Sequence, residues 1–190
     1  MSSNPVLKQL GFSPQDRAVI IHTDDIGMCQ ASVSAFSDLF AFGLVSSGAI
    51  MMPCPWALHA VEFQVNHPTA DLGIHATLTS EWQTYRWRPL STRDAQSGLL
   101  DEQGFFHRRS PAVPASASPQ AVALELEAQI QFALASGLKP THMDTHMGSV
   151  AHPRFMQAYI DLALKYRIPP MVFRMDQAGW RAMGMSAEVA

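Results

Sequence analysis

Histidine and aspartate recur at every second position of THMDTHMG, residues 141 to 148, so His142, Asp144 and His146 share one face if the segment is extended. Three such side chains on a buried strand are hard to satisfy without a metal ion or a hydrogen-bond network. Two further polar clusters end apolar, strand-like runs: HTDD at residues 22 to 25, after AVII, and GIHATLT at residues 73 to 79. Carboxylates and imidazoles delivered by the ends of several β-strands suit metal-dependent hydrolysis on an α/β scaffold.

The clusters differ in weight. Asp24 and Asp25 directly follow four apolar residues, where a charge needs a partner or a cation. Because they are successive, an extended backbone sends their side chains to different sides, so that one could bind a metal while the other stays free. His75 interrupts an apolar strand, and alone it reads as a core imidazole; the other clusters reverse that reading. His22, His59, His67, His107 and His152 lack such convergence and read as structural or solvated. Cys29 and Cys54 have no CxxC spacing, are too few for a disulfide scaffold, and read as buried thiols.

The elements that must position these residues alternate in type. Ala18 to Thr23 is a compact apolar strand; Val33, Phe36 and Phe40 then fall on one helical face, with Gly43 placed as the stop. Ser46 to Met52 reads as a second strand, Trp56 to Asn66 as a helix with Leu58, Val61 and Val65 as its stripe, and Leu72 to Leu78 as a third strand. Ser118 and Pro119 open a further helix in which Val122, Leu126, Ile130 and Leu134 recur every four residues until Gly137. THMDTHMG follows as a strand, then a helix from Pro153 with Met156, Tyr159, Ile160, Ala163 and Leu164 on one stripe, then a strand from Met171 to Met175. The closing QAGWRAMGMSAEVA offers no further element. Apolar runs separated by helices indicate βαβ units and a mainly parallel sheet.

Residues 80 to 118 break the rhythm. They run from SEWQTYRWRPL to the Pro/Ala/Ser-rich SPAVPASASP, and a connection this long is expected to be an active-site loop or a small insertion. Trp82, Tyr85 and Trp87 could stack on a sugar ring or anchor the loop to the body. Arg86 and Arg88 carry no assigned role.

Composition narrows the function. With 190 residues, 47% hydrophobic and 15% charged, one domain spanning residues 1 to 190 is expected. A net charge of −3 gives no basic field for nucleic acid and no polybasic membrane patch. No signal-like or membrane-spanning stretch is visible, which points to a cytoplasmic protein.

Together TDDIG, GIHATLT and THMDTHMG resemble the YdjC/ChbG-type carbohydrate deacetylases, whose motifs run as an Asp-Asp-Phe-Gly turn, a Gly-x-His strand and a His-x-Asp-Ser-His segment. The resemblance covers most of residues 17 to 170 and implies an α/β fold of the (β/α) barrel-like, polysaccharide deacetylase type. About five strands are fewer than an eight-stranded barrel needs, so the expectation is an incomplete barrel lacking its C-terminal part. It implies removal of an acetyl group from an N-acetylated sugar or related small amide, with one divalent metal ion, Mg²⁺ or Zn²⁺ and alternatively Co²⁺. Asp25, His75 and His146 become the metal ligands, Asp24 the general base, and His142 and Asp144 groups that orient the ligands. The general acid is unassigned, with His152 a candidate on proximity alone. This chain has His22-Thr23 where Asn-Ala is usual in the family, Ile26 where Phe is usual, and Met147-Gly148-Ser149 where more histidines are common. A small-molecule or oligosaccharide substrate is implied, and an open barrel edge would favour a homo-oligomer. Two alternatives stay open: a metal-dependent hydrolase of another ester, phosphoester or cyclic amide, and a non-catalytic carbohydrate-binding or regulatory protein on the same fold.

Overall fold

A computed structural model describes residues 5–13, 15–172 and 176–182. A short helix, α1 (Pro5–Gln9), precedes four strands, β1 (His22–Ile26), β2 (Ser47–Ile50), β3 (Leu72–Ala76) and β4 (Met143–Thr145). All neighbouring pairs are parallel and lie in the order β1-β2-β3-β4. Helices α2 (Gln30–Phe42) and α3 (Ala57–Asn66) make the first two crossovers, and α5 (Pro119–Ala135) the third, after a short α4 (Ala112–Ser116). Parallel neighbours require such crossovers, and the C-terminal ends of all the strands therefore open on one side. Beyond β4 come α6 (Pro153–Tyr166) and α7 (Gln177–Ala182).

Residues 169 to 171 run beside β4. Met143 N donates to Pro169 O at 2.9 Å and Met171 N to Met143 O at 2.7 Å, with a parallel bridge at Pro170. This single bridge is the pairing seen near the strand expected at Met171 to Met175, of which residues 173 to 175 lie outside the described residues. Where no closing element was expected, α7 forms.

Local chemistry sets most boundaries. Gly43 takes the left-handed conformation at φ 79° and caps α2, and Ser118 Oγ accepts from Ala121 N at 3.1 Å ahead of Pro119 to open α5. The first strand begins at His22 rather than Ala18. Val19 and Ile20 are each 76% exposed, because β1 is the sheet edge and has no neighbour on that side among the described residues.

Two helix stripes differ from expectation. In α3 the buried residues are Ala57, Ala60, Val61 and Gln64, while Leu58 and Val65 face outward. Small residues let this helix lie close: a Cβ on Gly27 would stand 2.9 Å from Ala57 Cα. In α5 Val122, Leu126 and Ile130 are buried but Leu134 is exposed, and Glu125 and Gln129 point inward instead. Steps of four drift around a helix of 3.6 residues per turn, which carries Leu134 off the buried face. On α6 the outlier is Leu164, which is exposed, while Phe155 and Leu162 are buried.

The core is continuous from α2 across the sheet to α5 and α6. Phe36 is fully buried and stacks edge-on against Phe63, with ring centroids 5.5 Å apart. Truncation of Phe36 to Ala is expected to cost about 3–5 kcal/mol of unfolding free energy, read from the shift in a urea denaturation midpoint.

Candidate active site

The carboxyl ends of β1, β3 and β4 bring the sequence clusters together. His75 is paired with Asp144 in the β3–β4 register, and its Nδ1 lies 2.6 Å from Asp144 Oδ1. That contact fixes the proton on Nδ1 and turns Nε2 toward Asp25, whose Oδ1 is 3.3 Å away. His146 follows β4 in a tight turn in which Met147 and Gly148 have positive φ. Its Nδ1 stands 3.0 Å from the same Asp25 oxygen, while Nε2 meets Glu81 at 3.1 Å.

Asp24 and Asp25 both reach this region, against the expectation from simple alternation. Thr23 pairs with Gly48 but Ile26 with Ile50, so β1 carries one extra residue between these points. This is a β-bulge, which abolishes the two-residue period and re-aims side chains. Asp25 adopts φ 60°, a conformation rarely held by a non-glycine residue and one that clusters at functional sites. Asp25 faces His75 and His146, and Asp24 groups with His75 and Asp144.

A second set of contacts extends the cluster past Asp144. His22 Nε2 lies 3.0 Å from Asp144 Oδ2 and 3.5 Å from Asp24 Oδ1, and its Nδ1 is 2.7 Å from Ser47 Oγ. His142 Nδ1 is 2.9 Å from Thr141 Oγ1, and a Cβ on Gly73 would lie 2.6 Å from the His142 ring. Thus Asp24, Asp25, Glu81 and Asp144 meet His22, His75 and His146, with His142 and its own neighbour Asp71 to one side.

The electrostatics follow from this crowding. The imidazoles of His146 and then His75 hold the Asp25 carboxyl well below the usual carboxylate range. Burial alone would raise Asp144, yet His22 and His75 hold it down at about 2. Burial likewise pushes His75 down, but Asp144 and Asp25 outweigh it and lift it to about 9. His146 is raised in the same way, burial being outweighed by Asp25 and Glu81. His142 is lowered, by burial first and by His22.

Asp25 Oδ1 fits a cation. It is buried with no hydrogen bond among the described residues, because neither neighbouring nitrogen approaches in hydrogen-bond geometry. Donors about 2.0–2.1 Å from one tetrahedral ion stand about 3.3 Å apart, close to the separations here. Asp25, His75 and His146 could therefore hold a divalent metal ion.

Glu81 and His22 were not singled out from the sequence. Glu81 stands among the polar residues just past the third strand, which is the signal that could have found it. His22 had only its place before two acids. The aromatics of residues 80 to 118 divide: Trp87 is buried, donates Nε1–H to Thr79 O at 2.7 Å and lies edge-on to His146, so it is an anchor rather than a free stacking platform. Tyr85 donates to Met28 O at 2.7 Å, and Trp82 is exposed. Arg86 ties the segment to itself through Asp101 at 2.7 Å. Buried Glu125 accepts from Leu90 N and Ser91 N, clamping it to α5. His152 accepts from Arg154 N as the cap of α6 and lines a groove with Ser110, Pro114 and Ser149. Among the described residues it makes no contact with the cluster.

Parallel strands whose carboxyl ends gather acids and imidazoles define an α/β protein of (β/α) barrel-like fold with a site at the strand ends. The chain belongs to the YdjC-like protein family, which it matches over residues 18–189. It is 38% identical over 167 residues to a carbohydrate deacetylase of Thermus thermophilus, covering 88% of this chain and 57% of that one. A carbohydrate deacetylase of Thermoanaerobacter pseudethanolicus is 30% identical over 159 residues, covering 84% and 61%. The chain thus spans less than two thirds of the length of these relatives. A solved structure from Enterococcus faecalis, named as a candidate cellobiose-phosphate cleavage protein, superposes with a TM-score of 0.73 at 26% identity, covering 90% of this chain and 64% of that one. No helix among the described residues is long and apolar enough to cross a membrane.

The metal-free protein should be pH-sensitive in a defined window. His75 is raised from 6.5 to about 9 by its carboxylate partners, so its stabilising contribution is complete below pH 6.5 and is lost as pH rises through about 9. Urea midpoints measured in chelator are expected to fall across that interval, and His75→Gln should flatten the decline.

Proposed function

We propose that this chain carries the site of a metal-dependent carbohydrate deacetylase, which hydrolyses the acetamide of an N-acetylated sugar to acetate and a free amine. The observation that carries the reading is the buried Asp25 oxygen faced by two imidazole nitrogens at 3.0 and 3.3 Å, with the more exposed carboxylate of Asp24 beside it. The names of the relatives point the same way.

Asp25, His75 and His146 would hold the ion, and Asp144 and Glu81 would fix the two imidazoles with their lone pairs inward. A bound divalent ion supplies polarisation of the acetyl carbonyl and a lowered pKa for water. Asp24 takes the water proton as the oxygen adds to the acetyl carbon, and its carboxyl returns a proton to the amine nitrogen as the C–N bond breaks. One water and one amide thereby give one acetate and one amine. The buried edge of Trp87 beside His146 shields one side from solvent, and exposed Trp82 is the aromatic left free to face a sugar ring. His152, occupied as a helix cap, has no part in this scheme.

Released acetate from N-acetylated amino sugars or their short oligomers tests the reading directly; a metal-loaded, folded chain that releases none would refute it. Asp24→Asn is expected to retain metal and lose about 10²–10⁴ in kcat, measured by the same assay. Glu81→Ala is expected to weaken metal affinity by about 10–100-fold, measured by competition with a chromogenic chelator.

A further inference from the structure

We propose that His22, His142 and Asp144 form a second divalent-cation site, separate from the one at Asp25, His75 and His146 and selective for a transition ion such as Zn²⁺. Each of the three residues offers a ligand atom within 4.8 Å of the others. The inference stands on these residues and not on the deacetylase reading.

His142 supplies the main argument. Its Nδ1 is engaged by Thr141 Oγ1 at 2.9 Å and lies 3.6 Å from Asp71 Oδ1, which places the proton on that nitrogen. Nε2 is then a bare lone pair, and it is buried without a hydrogen-bond partner among the described residues. Buried acceptors are rarely left unpaired. Gly73 makes room for the ring, since a Cβ there would lie 2.6 Å from Nε2.

His22 can present a lone pair to the same place. If Nδ1–H donates to Ser47 Oγ at 2.7 Å, Nε2 faces Asp144 Oδ2 at 3.0 Å lone pair to lone pair. A proton on His22 Nε2 would satisfy that contact but would leave His142 Nε2 stranded; a cation satisfies both. Asp144 can serve the two sites at once, with Oδ1 holding His75 and Oδ2 turned to His22, where the ion would sit. Charge agrees. Asp24, Asp25, Glu81 and Asp144, with Asp71 beside His142, bring five negative charges, more than one divalent ion can balance. Two imidazoles and a carboxylate are the donor set that Zn²⁺ and neighbouring transition ions favour, whereas Mg²⁺ prefers oxygen.

Metal stoichiometry decides the matter. The full chain is stripped with chelator, saturated with Zn²⁺, desalted and assayed by elemental analysis, with circular dichroism as the check on folding. The parent is expected to hold about two ions per chain, and His142→Ala, His22→Asn and His146→Ala about one each. A double variant of His22→Asn and His146→Ala should hold none. A parent that holds one ion, lost on His146→Ala, overturns the second site and leaves the deacetylase reading intact. Two ions retained in both His22→Asn and His142→Ala would overturn it equally. Should His142→Ala fail to fold, His22→Asn decides alone, because Asn keeps a polar side chain at a partly exposed position.

Discussion

The contact between His75 Nδ1 and Asp144 Oδ1, 2.6 Å long and almost wholly buried, is the constraint around which the site is arranged. Burying either group alone would be costly, because each carries a polar atom that water can no longer reach. Paired across adjacent strands they satisfy each other, and the register that pairs them also fixes His142 against Gly73 and sends His146 beyond the strand end. A slip of one residue between β3 and β4 would turn His75 and Asp144 to opposite faces and dissolve both halves of the network. The parallel sheet therefore does more than gather residues at its carboxyl end, since it dictates which imidazole nitrogen points inward.

A pattern runs through all four histidines. Each anchors one nitrogen outward, His75 to Asp144, His146 to Glu81, His22 to Ser47 and His142 to Thr141. For His75, His146 and His22 the other nitrogen faces a carboxylate; for His142 it faces no hydrogen-bond partner among the described residues. Anchoring of this kind removes tautomeric freedom before any ligand arrives, which is how supporting groups raise the affinity of a metal-binding imidazole. The carboxylates that face them also raise the His75 and His146 pKa values in the metal-free state.

Much of this was legible in the sequence because short-range chemistry wrote it. The strand stop before Pro53, the Ser118-Pro119 opening and the Gly43 stop depend on neighbours a few residues away, and the alternation of His142, Asp144 and His146 is a property of one segment, whereas the apolar AVII run lies ahead of β1 rather than in it. Long-range partners were not legible. Glu81 meets His146 across 65 residues and His22 meets Asp144 across 122, and no local pattern announces either. The apolar stripe of α3 misled for a different reason: large residues mark a face in the sequence, but this helix packs through Ala57 and Ala60, and Leu58 and Val65 are left outside.

The bulge in β1 is the least legible feature and the one with the most chemical consequence. Alternation would place Asp24 and Asp25 on opposite faces of the sheet, leaving only one near the histidines. An extra residue, with Asp25 held at φ 60°, brings both to the same end. Their surroundings then diverge, because Asp25 Oδ1 is sealed between two imidazoles while the Asp24 side chain is 63% exposed. Two adjacent carboxylates, one with an oxygen held between imidazoles and a side chain 39% exposed, the other 63% exposed, suit the division of labour proposed above, one fixed as a ligand and the other free to exchange protons with water. A left-handed backbone at Asp25 is a small cost beside what straightening the strand would remove, since a regular β1 would have to turn one of its two acids away.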